Sequence, residues 1–419
     1  MDYNSGDIAF MLVSTALVFL MTPGLAFFYG GLVKRRNVLS IMMQSIAAFG
    51  IVTILWVVIG YSLAFGSSTG SLIGNLDHVF LRGVGLVGAE GDGIPPLLFM
   101  IFQLMFAVLT PALMIGATAE RLRFPAYVLL IGLWSLFIYA PLAHWVWGGG
   151  WIGNLGALDF AGGTVVHISS GFSGLIAAIV IGKRLNKSSE PTIPHNLPYV
   201  ILGGSLLWFG WFGFNAGSEL AADGIAVLAF VTTHIAASAG LLGWVIVEKI
   251  YHGRPTVLGA ISGVIAGLVA ITPATAFVTP IAAIFIGLIS GGICYLAVAK
   301  LKEKLGYDDA LDVFGIHGIG GTWGALATGL FATTSVNAGG ADGLFYSGNF
   351  ELVGIQMIAV LATYAFAGIG TFVILKIISA ITPLTASGEE QVSGLDTTQH
   401  GESAYPDMEG MTANPTYNI

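Results

Sequence analysis

The chain has 419 residues, of which 55% are hydrophobic and only 9% are charged, with a net charge of −8 at pH 7. Soluble globular proteins carry about 25% charged residues, so this composition excludes a water-soluble protein. The single cysteine, Cys294, excludes an intramolecular disulfide and a cysteine-based metal cluster. We therefore predict an integral membrane protein in contact with lipid, with no cofactor and no nucleic-acid partner.

Apolar runs of membrane-spanning length follow one another along the chain. A transmembrane helix needs about 20 predominantly apolar residues. Such runs, called spans one to eleven below, lie near residues 8–32, 38–66, 97–119, 125–147, 163–182, 198–217, 225–248, 256–273, 279–299, 313–333 and 350–380. The predicted fold is therefore an all-α integral membrane protein with eleven transmembrane helices, multi-pass in the plasma membrane.

The basic residues predict the orientation of these spans, because Lys and Arg accumulate on the cytoplasmic side. With the N-terminus outside, 14 of the 15 Lys and Arg face the cytoplasm, and only Arg82 lies outside. The 14 are Lys34, Arg35, Arg36, Arg121, Arg123, Lys183, Arg184, Lys187, Lys249, Arg254, Lys300, Lys302, Lys304 and Lys376. Residues 1–31 contain no Lys or Arg, so we predict no cleaved signal peptide.

The last 36 residues, 384–419, differ in composition from the rest of the chain. They are rich in Gly, Ser, Thr and acidic residues and contain no Lys or Arg, which is typical of a weakly ordered segment. We therefore divide the chain into a transmembrane domain, 1–383, and a cytoplasmic tail, 384–419.

A short internal repeat links spans five and ten. The tripeptide Ala-Leu-Asp at 157–159 precedes His167, and the same tripeptide at 310–312 precedes His317. Five spans separate the two elements, so the two helices run in opposite directions. This pattern predicts two inverted repeats of five helices plus a final helix, with the two histidines on one path on either side of the midplane.

Histidines are the ionisable residues that the sequence places inside the spans. Carriers that bind Na⁺ or move protons through carboxylates normally keep an acid in the membrane interior, and the acids here lie at span boundaries. His167, His317 and, less clearly, His234 occupy the interior, whereas His144 lies near an outer end. Neutral imidazoles suit a small polar neutral molecule. The alternative is a structural hydrogen bond between helices, which we favour for His234.

Aromatic residues gather at the predicted outer ends of spans three, four and six. Phe106, Trp147 and Phe214 belong to these clusters, and Ser218 supplies a hydroxyl beside them. Aromatic ring faces bind cations, Trp best of all. The alternative is the ordinary aromatic belt at the membrane surface, and the sequence leaves both interpretations open.

Several long stretches then carry a family resemblance. They lie at 27–33, 116–121, 144–150, 158–167, 211–218 and 312–318. Together they resemble the ammonium transporter (Amt/Mep/Rh) family, and its microbial Amt branch more than its Rh branch. The resemblance covers nearly the whole chain, and its motifs occur in the same order as in the family.

The resemblance implies a homotrimer in which each subunit has its own pore for ammonium or ammonia. It implies that Phe106, Trp147 and Ser218 form an external ammonium recruitment site, and that Phe106 and Phe214 form a gate below it. His167 and His317 would be twin pore histidines. Asp159 would support the site without binding the substrate. The protein would then be a transporter that deprotonates NH₄⁺ and passes NH₃, and not an enzyme.

The tail also carries the resemblance. Residues 394–396 and 400–402 are similar to the family's C-terminal segment, which implies a possible PII-type signalling partner on the cytoplasmic face. The extension 405–419 departs from the family pattern and has no interpretation.

An ammonium sensor that signals through such a partner is the alternative function. A carrier for another solute, such as an amino acid, or an intramembrane enzyme is disfavoured, since neither broken helices nor a Gly-x-Ser-x-Gly elbow is evident.

Overall fold

The computed structural model describes residues 3–88, 93–185 and 193–405, and helices occupy most of them. The helices are α1 (Ser5–Leu32), α2 (Arg35–Phe65), α3 (Pro96–Thr118), α4 (Phe124–Asn154), α5 (Gly163–Ile181), α6 (Leu197–Glu219), α7 (Gly224–His252), α8 (Val257–Ile271), α9 (Pro280–Leu305), α10 (Phe314–Gly318 continuing into Ile319–Phe331), α11 (Glu351–Ile381) and α12 (Gly388–Ser393). Strands β1 (Ser68–Thr69) and β2 (Ile73–Gly74) form an antiparallel pair in the loop after α2. Short helical turns lie at Val79–Leu81, Leu344–Ser347 and Asp396–His400.

Helices α1 to α11 coincide with the eleven predicted apolar runs. Among the described residues, nine of them are long and apolar enough to cross a membrane. The other two are α8, with 15 residues, and α10, whose two segments have 5 and 13 residues. The chain is thus an all-helical, multi-pass membrane protein, and the number of eleven crossings stays a prediction.

A tight carboxylate cap begins α5, the helix that carries His167. The Asp159 carboxylate accepts the backbone N–H groups of Gly162, Gly163 and Thr164, at 2.8, 2.6 and 2.8 Å. The helix then opens with a π-helical turn, Gly163–Ile168, before regular α-helix continues. Such turns occur often at functional sites, because they change the direction of a side chain relative to the rest of the helix.

A similar cap begins α10, but it comes from a residue that the sequence match did not identify. The Asp309 carboxylate accepts the backbone N–H of Phe314 at 2.7 Å, and a π-helical turn, Phe314–Gly318, follows. Asp309 precedes His317 by eight residues, which is the spacing from Asp159 to the histidine of α5. The tripeptide match aligned Asp312 with this position, but Asp312 forms an ion pair with Lys302 instead.

Helices α5 and α10 cross at two glycines, each four residues after its helix's histidine. A Cβ atom on Gly171 would overlap the backbone of Gly318, and a Cβ atom on Gly321 would press on the backbone oxygen of Gly163. Because neither glycine carries a side chain, the two helix backbones approach each other directly. This close crossing brings the two histidine side chains together.

The loops at the predicted cytoplasmic side are joined by a buried ionic cluster. Arg184 Nη1 lies 2.9 Å from Glu120 Oε2, and its Nη2 lies 2.9 Å from Asp308 Oδ1. The exposed fractions of the Arg184, Glu120 and Asp308 side chains are only 10%, 5% and 1%. Burial raises the pKa of Asp308, but the hydrogen bonds and charge of Arg184 outweigh it and hold that pKa well below its ordinary value.

The tail is ordered as far as residue 405, which corrects the prediction of a weakly ordered segment for 384–405. The Asp396 carboxylate accepts the backbone N–H groups of Leu39 and Ser40, at 3.0 and 2.7 Å, near the start of α2. The backbone N–H of Arg123 donates to the Leu384 carbonyl at 2.9 Å. Lys187 of the basic cluster and the extension 406–419 lie outside the described residues.

We expect Gly171→Ala to destabilise the protein, because the new methyl group overlaps the α10 backbone and not a movable side chain. Overpacking of this kind costs about 1–3 kcal/mol. Thermal unfolding of the purified protein in detergent measures the effect. Gly50→Ala in α2 is the matched control, since nothing lies within 4 Å of the added Cβ. Equal melting temperatures for the two variants would contradict the close crossing.

We expect Arg184→Ala to cost about 3–5 kcal/mol of unfolding free energy, because it removes the guanidinium that pairs with the buried carboxylates of Glu120 and Asp308. Arg123→Ala is the control, since Arg123 Nη2 lies 3.6 Å from Glu390 Oε1 at an exposed site, where such pairs contribute about 0–1 kcal/mol. The Asp308 carboxylate contributes to the unfolding free energy at pH values above an ordinary aspartate pKa of about 4. This contribution is lost as the pH falls below that value. Denaturant titrations at several pH values should therefore show a shallower acid-side loss in Arg184→Ala than in the native protein.

Candidate functional site

Five of the predicted site residues form a single file of aromatic and imidazole rings. Going inward, the ring centroids of Trp147 and Phe106 are 6.2 Å apart, and those of Phe106 and Phe214 are 4.4 Å apart. Phe214 then lies 6.0 Å from His167, which lies 5.3 Å from His317. The file draws on five helices, α3, α4, α5, α6 and α10, so the structure brings together residues that are far apart in the sequence.

The outer end of the file offers aromatic faces and a hydroxyl. The indole N–H of Trp147 donates to the backbone carbonyl of Asp159 at 2.8 Å, which fixes the ring. The Ser218 hydroxyl donates to the carbonyl of Phe214 at 2.8 Å, so its oxygen lone pairs stay available as acceptors. The Asp159 carboxylate is occupied by the backbone N–H groups of the α5 cap. Asp159 therefore holds both Trp147 and α5 in place.

Phe106 and Phe214 separate this outer end from the histidines. Their side chains are 1% and 0% exposed, and their rings are tilted by 37° at van der Waals distance. The Thr110 hydroxyl donates to the Phe106 carbonyl at 2.7 Å within α3. The two buried rings thus lie in contact between Trp147 and the histidines.

The two histidines form a hydrogen-bonded pair. His167 Nδ1 and His317 Nδ1 are 3.2 Å apart, so one of these nitrogens carries the proton and the other accepts it. The pair therefore cannot be doubly protonated while this bond exists. The Nε2 atom of His167 is buried and forms no hydrogen bond with any residue that the structure describes. A buried polar atom of this kind is an available binding point for a small polar guest.

A narrow cavity adjoins the histidine pair. His167, His317, Trp211 and Tyr29 line it together with apolar side chains, among them Leu113. The space open to the centre of a water-sized sphere is about 10 Å³, which is about the minimum for one water molecule. The cavity therefore accepts one small molecule at a time and offers it few polar contacts besides the imidazoles.

Sequence reasoning did not identify Trp211 and Tyr29 as site residues. Trp211 stacks on His167 with ring centroids 5.4 Å apart, and its indole N–H donates to Thr272 Oγ1 at 2.9 Å. The Tyr29 hydroxyl donates to the Leu113 carbonyl at 3.0 Å. Both residues lie in stretches that carry the family resemblance. Only the folded geometry shows that they face the histidines.

The two remaining candidate histidines lie off the file. His144 is buried and uses both ring nitrogens, bonding Ser68 Oγ at 2.8 Å and the Ala64 carbonyl at 2.9 Å, so its role is structural. His234 lies on the exposed surface of α7, stacked on Trp208 with centroids 5.3 Å apart. His234 lies within α7, away from the helix ends, as the sequence predicted, but its side chain faces outward and does not join the file. In the parts of the chain that the structure describes, no group of three His, Cys, Asp or Glu side chains could hold a metal ion.

Comparison with known proteins gives one consistent family. The model of the Ammonium Transporter Family matches residues 9–405. The ammonium transporter of Bacillus subtilis (strain 168) is 60% identical over 403 residues, which cover 96% of this chain and 99% of that protein. The crystal structure of Saccharomyces cerevisiae Mep2 is 37% identical with a TM-score of 0.86, covering 92% of this chain and 91% of that one. A solved structure named Sensor Amt Protein is 29% identical with a TM-score of 0.87, covering 94% and 98%.

We expect Asp159→Ala to lower both the stability and the ammonium uptake of the protein more than Asp159→Asn does. Alanine leaves the buried N–H groups at the start of α5 without an acceptor, each at about 1–3 kcal/mol, whereas asparagine keeps one acceptor oxygen. Thermal unfolding and ammonium uptake in proteoliposomes measure the two effects. Asp223→Ala is the control, because Asp223 caps α7 at an exposed site and its loss should cost about 1 kcal/mol. Equal losses for Asp159→Ala and Asp223→Ala would refute the role given to Asp159.

Proposed function

The chain belongs to the ammonium transporter family, and we propose that it takes up NH₄⁺ at its outer aromatic site and passes it inward as NH₃ between His167 and His317. The relatives found by comparison are themselves named as transporters. The observation that carries this mechanism is the file of rings that ends in a buried imidazole pair beside a water-sized cavity.

We propose the topology that the sequence predicted: eleven crossings in two inverted five-helix repeats plus α11, with the N-terminus outside and the C-terminus cytoplasmic. The paired features of α5 and α10 support the repeat, since both have an aspartate cap, a π-helical turn and a crossing glycine at matching offsets. The preceding helices α4 and α9 also share a π-helical turn, at Ser135–Tyr139 and Ala297–Leu301. The distribution of Lys and Arg supports the orientation.

Recruitment rests on Phe106, Trp147 and Ser218. Ring faces attract a cation by about 0.5–2 kcal/mol, more as the site loses water. The Ser218 oxygen accepts one N–H of the ammonium ion, because its own proton is already donated to the backbone. This combination suits a small ion that carries several N–H donors.

Deprotonation follows from the cost of moving the ion further inward. Beyond the gate of Phe106 and Phe214 the walls are mostly apolar, and the Asp159 carboxylate is occupied by backbone N–H groups. A bare ion buried without a counter-charge costs several kcal/mol or more. NH₄⁺ therefore gives its proton to water at the outer mouth, and neutral NH₃ passes the gate when a ring moves.

The histidine pair then holds NH₃ by hydrogen bonds inside an otherwise apolar passage. The free Nε2 of His167 binds it as donor or acceptor, according to the tautomer of the pair. The cavity beyond accepts one such molecule at a time. The neutral imidazoles replace the hydrogen bonds with water that ammonia gives up when it enters the pore. They carry no charge that would bind Na⁺ or K⁺.

We further propose that the protein is a homotrimer with a pore in each subunit, and that residues 1–383 form the transport domain. Helices α7 and α9 support an assembly because they expose large apolar side chains such as Phe230 and Phe285. Lipid and neighbouring subunits would share the covering of these faces.

A second function, ammonium sensing through a PII-type partner of the tail, rests on one observation. The backbone N–H of Leu395 donates to Asn37 Oδ1 at 2.9 Å, and Asn37 Nδ2 donates to Glu120 Oε1 at 3.1 Å. Glu120 pairs with Arg184, which holds Asp308, the neighbour of the α10 cap. A partner that displaces the tail would therefore act on the helix that carries His317.

The experiment that tests the transport mechanism compares the native protein with the His167→Ala/His317→Ala double variant. Transient currents and internal pH are recorded in proteoliposomes after an ammonium pulse. We expect saturable transport by the native protein and its loss, or a changed selectivity, in the double variant. His234→Ala is the control, because His234 lies on the outer surface of α7, away from the file.

The same records separate the mechanisms. A saturable current in the native protein shows that one positive charge crosses with each nitrogen, whereas entry of ammonia with a pH change and no current shows a neutral channel. Native activity in the double variant would refute the histidine path. Absence of both signals from well-folded native protein would favour the sensor.

A further inference from the structure

Glu219 is the last residue of α6 and directly follows Ser218 of the proposed recruitment site. The helix ends there in a 3₁₀ turn, Gly217–Glu219. A Cβ atom on Gly217 would touch the ring of Phe102, whose centroid is 5.0 Å from that of Phe106. The turn that carries Glu219 therefore packs against the outer end of the ring file.

The carboxylate of Glu219 has an unfavourable environment. The residue is half-buried, and within residues 3–88, 93–185 and 193–405 its side chain forms no hydrogen bond or ion pair. The charged group that acts on it is the carboxylate of Asp223. Asp223 is already occupied, since it accepts the N–H groups of Ile225 and Ala226 at 2.9 and 3.0 Å.

Within the part of the chain that the structure describes, no Lys or Arg forms an ion pair with Glu219. Asp7, on α1, accepts the backbone N–H of Ala222 at 2.8 Å in the same region, so a third carboxylate lies near this turn. The sequence assigns Arg82 as the only basic residue on the outer side. Burial among other carboxylates favours the protonated form of a carboxyl group, whereas a cation beside it favours the charged form. The transported ion itself is such a cation.

We infer that Glu219 is the anionic element of the outer site, and that it raises the affinity for NH₄⁺ over neutral NH₃ at the ring file. This inference rests on the proposed function, because it gives the recruitment site a counter-charge that the aromatic rings and Ser218 lack. The carboxylate lies outside the gate of Phe106 and Phe214. It therefore acts on the ion before deprotonation and does not hold the neutral molecule that moves on.

This position predicts a specific kinetic signature. A charge at the mouth changes the apparent KM for ammonium and leaves the maximal rate unchanged, since the later steps involve an uncharged species. The effect is Coulombic and depends on salt, because the screening length falls from about 30 Å at 0.01 M to about 8 Å at 0.15 M ionic strength. A purely structural role of Glu219 would not produce this salt dependence.

The test measures initial ammonium transport in proteoliposomes for the native protein, Glu219→Gln and Glu219→Lys. At about 0.01 M ionic strength we expect Glu219→Gln to raise the apparent KM about two- to fivefold and Glu219→Lys to raise it by a second similar factor. Both differences should shrink at about 0.15 M. Glu351→Gln is the matched control, because Glu351 is an exposed carboxylate at the start of α11, and its KM should equal that of the native protein.

Each outcome bears on the inference. Equal KM values across the Glu219 series at low salt overturn it, as does a changed maximal rate with an unchanged KM. If the native protein shows no saturable transport, the proposed function itself fails. Calorimetric titration of ammonium chloride into native and Glu219→Gln protein then decides about Glu219, with weaker binding by the variant supporting the charge role and equal binding overturning it.

Discussion

The direct backbone contact between α5 and α10 sets the geometry of the site. Gly171 and Gly321 allow the crossing, and the caps of Asp159 and Asp309 fix where each helix begins. The distance between the two imidazoles follows from these four residues. The ring file above the histidines depends on it as well, since Phe214 and Trp211 stack on the ring of His167 and not on a flexible side chain.

The electrostatic environment of the site depends on which groups bind its carboxylates. Asp159 is buried close to Trp147 of the proposed recruitment site, but backbone N–H groups occupy its carboxylate, so this carboxylate has a structural role. On the other side, Asp308 and Glu120 are neutralised by Arg184. These three carboxylates are thus engaged by backbone N–H groups or by Arg184. This arrangement favours a neutral passenger.

Much of the fold and of the candidate site could be predicted from the sequence. The apolar runs match the helices because an apolar run of about 20 residues has few alternatives in a membrane. The candidate site residues were predicted through family motifs, and the structure brings five of them into one file. Three features were missed for physical reasons. The cap of α10 comes from Asp309, because a tripeptide match carries no information about where a helix begins. His234 faces outward, because an apolar helix has no polar stripe that marks its buried side. The tail is ordered to residue 405, because its contacts are long-range and polar, and composition does not report them.

The contact between two identical nitrogens has a consequence for any proton that uses the pair. One imidazole must be the Nδ1–H tautomer and its neighbour the Nε2–H tautomer, so the two outer nitrogens of the pair differ, one bearing a lone pair and one bearing hydrogen. A proton that enters at the lone pair shifts the shared hydrogen across and leaves at the far end, after which the polarity of the pair is reversed. A second proton moving the same way finds a hydrogen where it needs a lone pair. The two imidazoles must therefore return to their first tautomers before a second proton can follow. Ammonia only forms hydrogen bonds with the nitrogens, so its passage needs no such return.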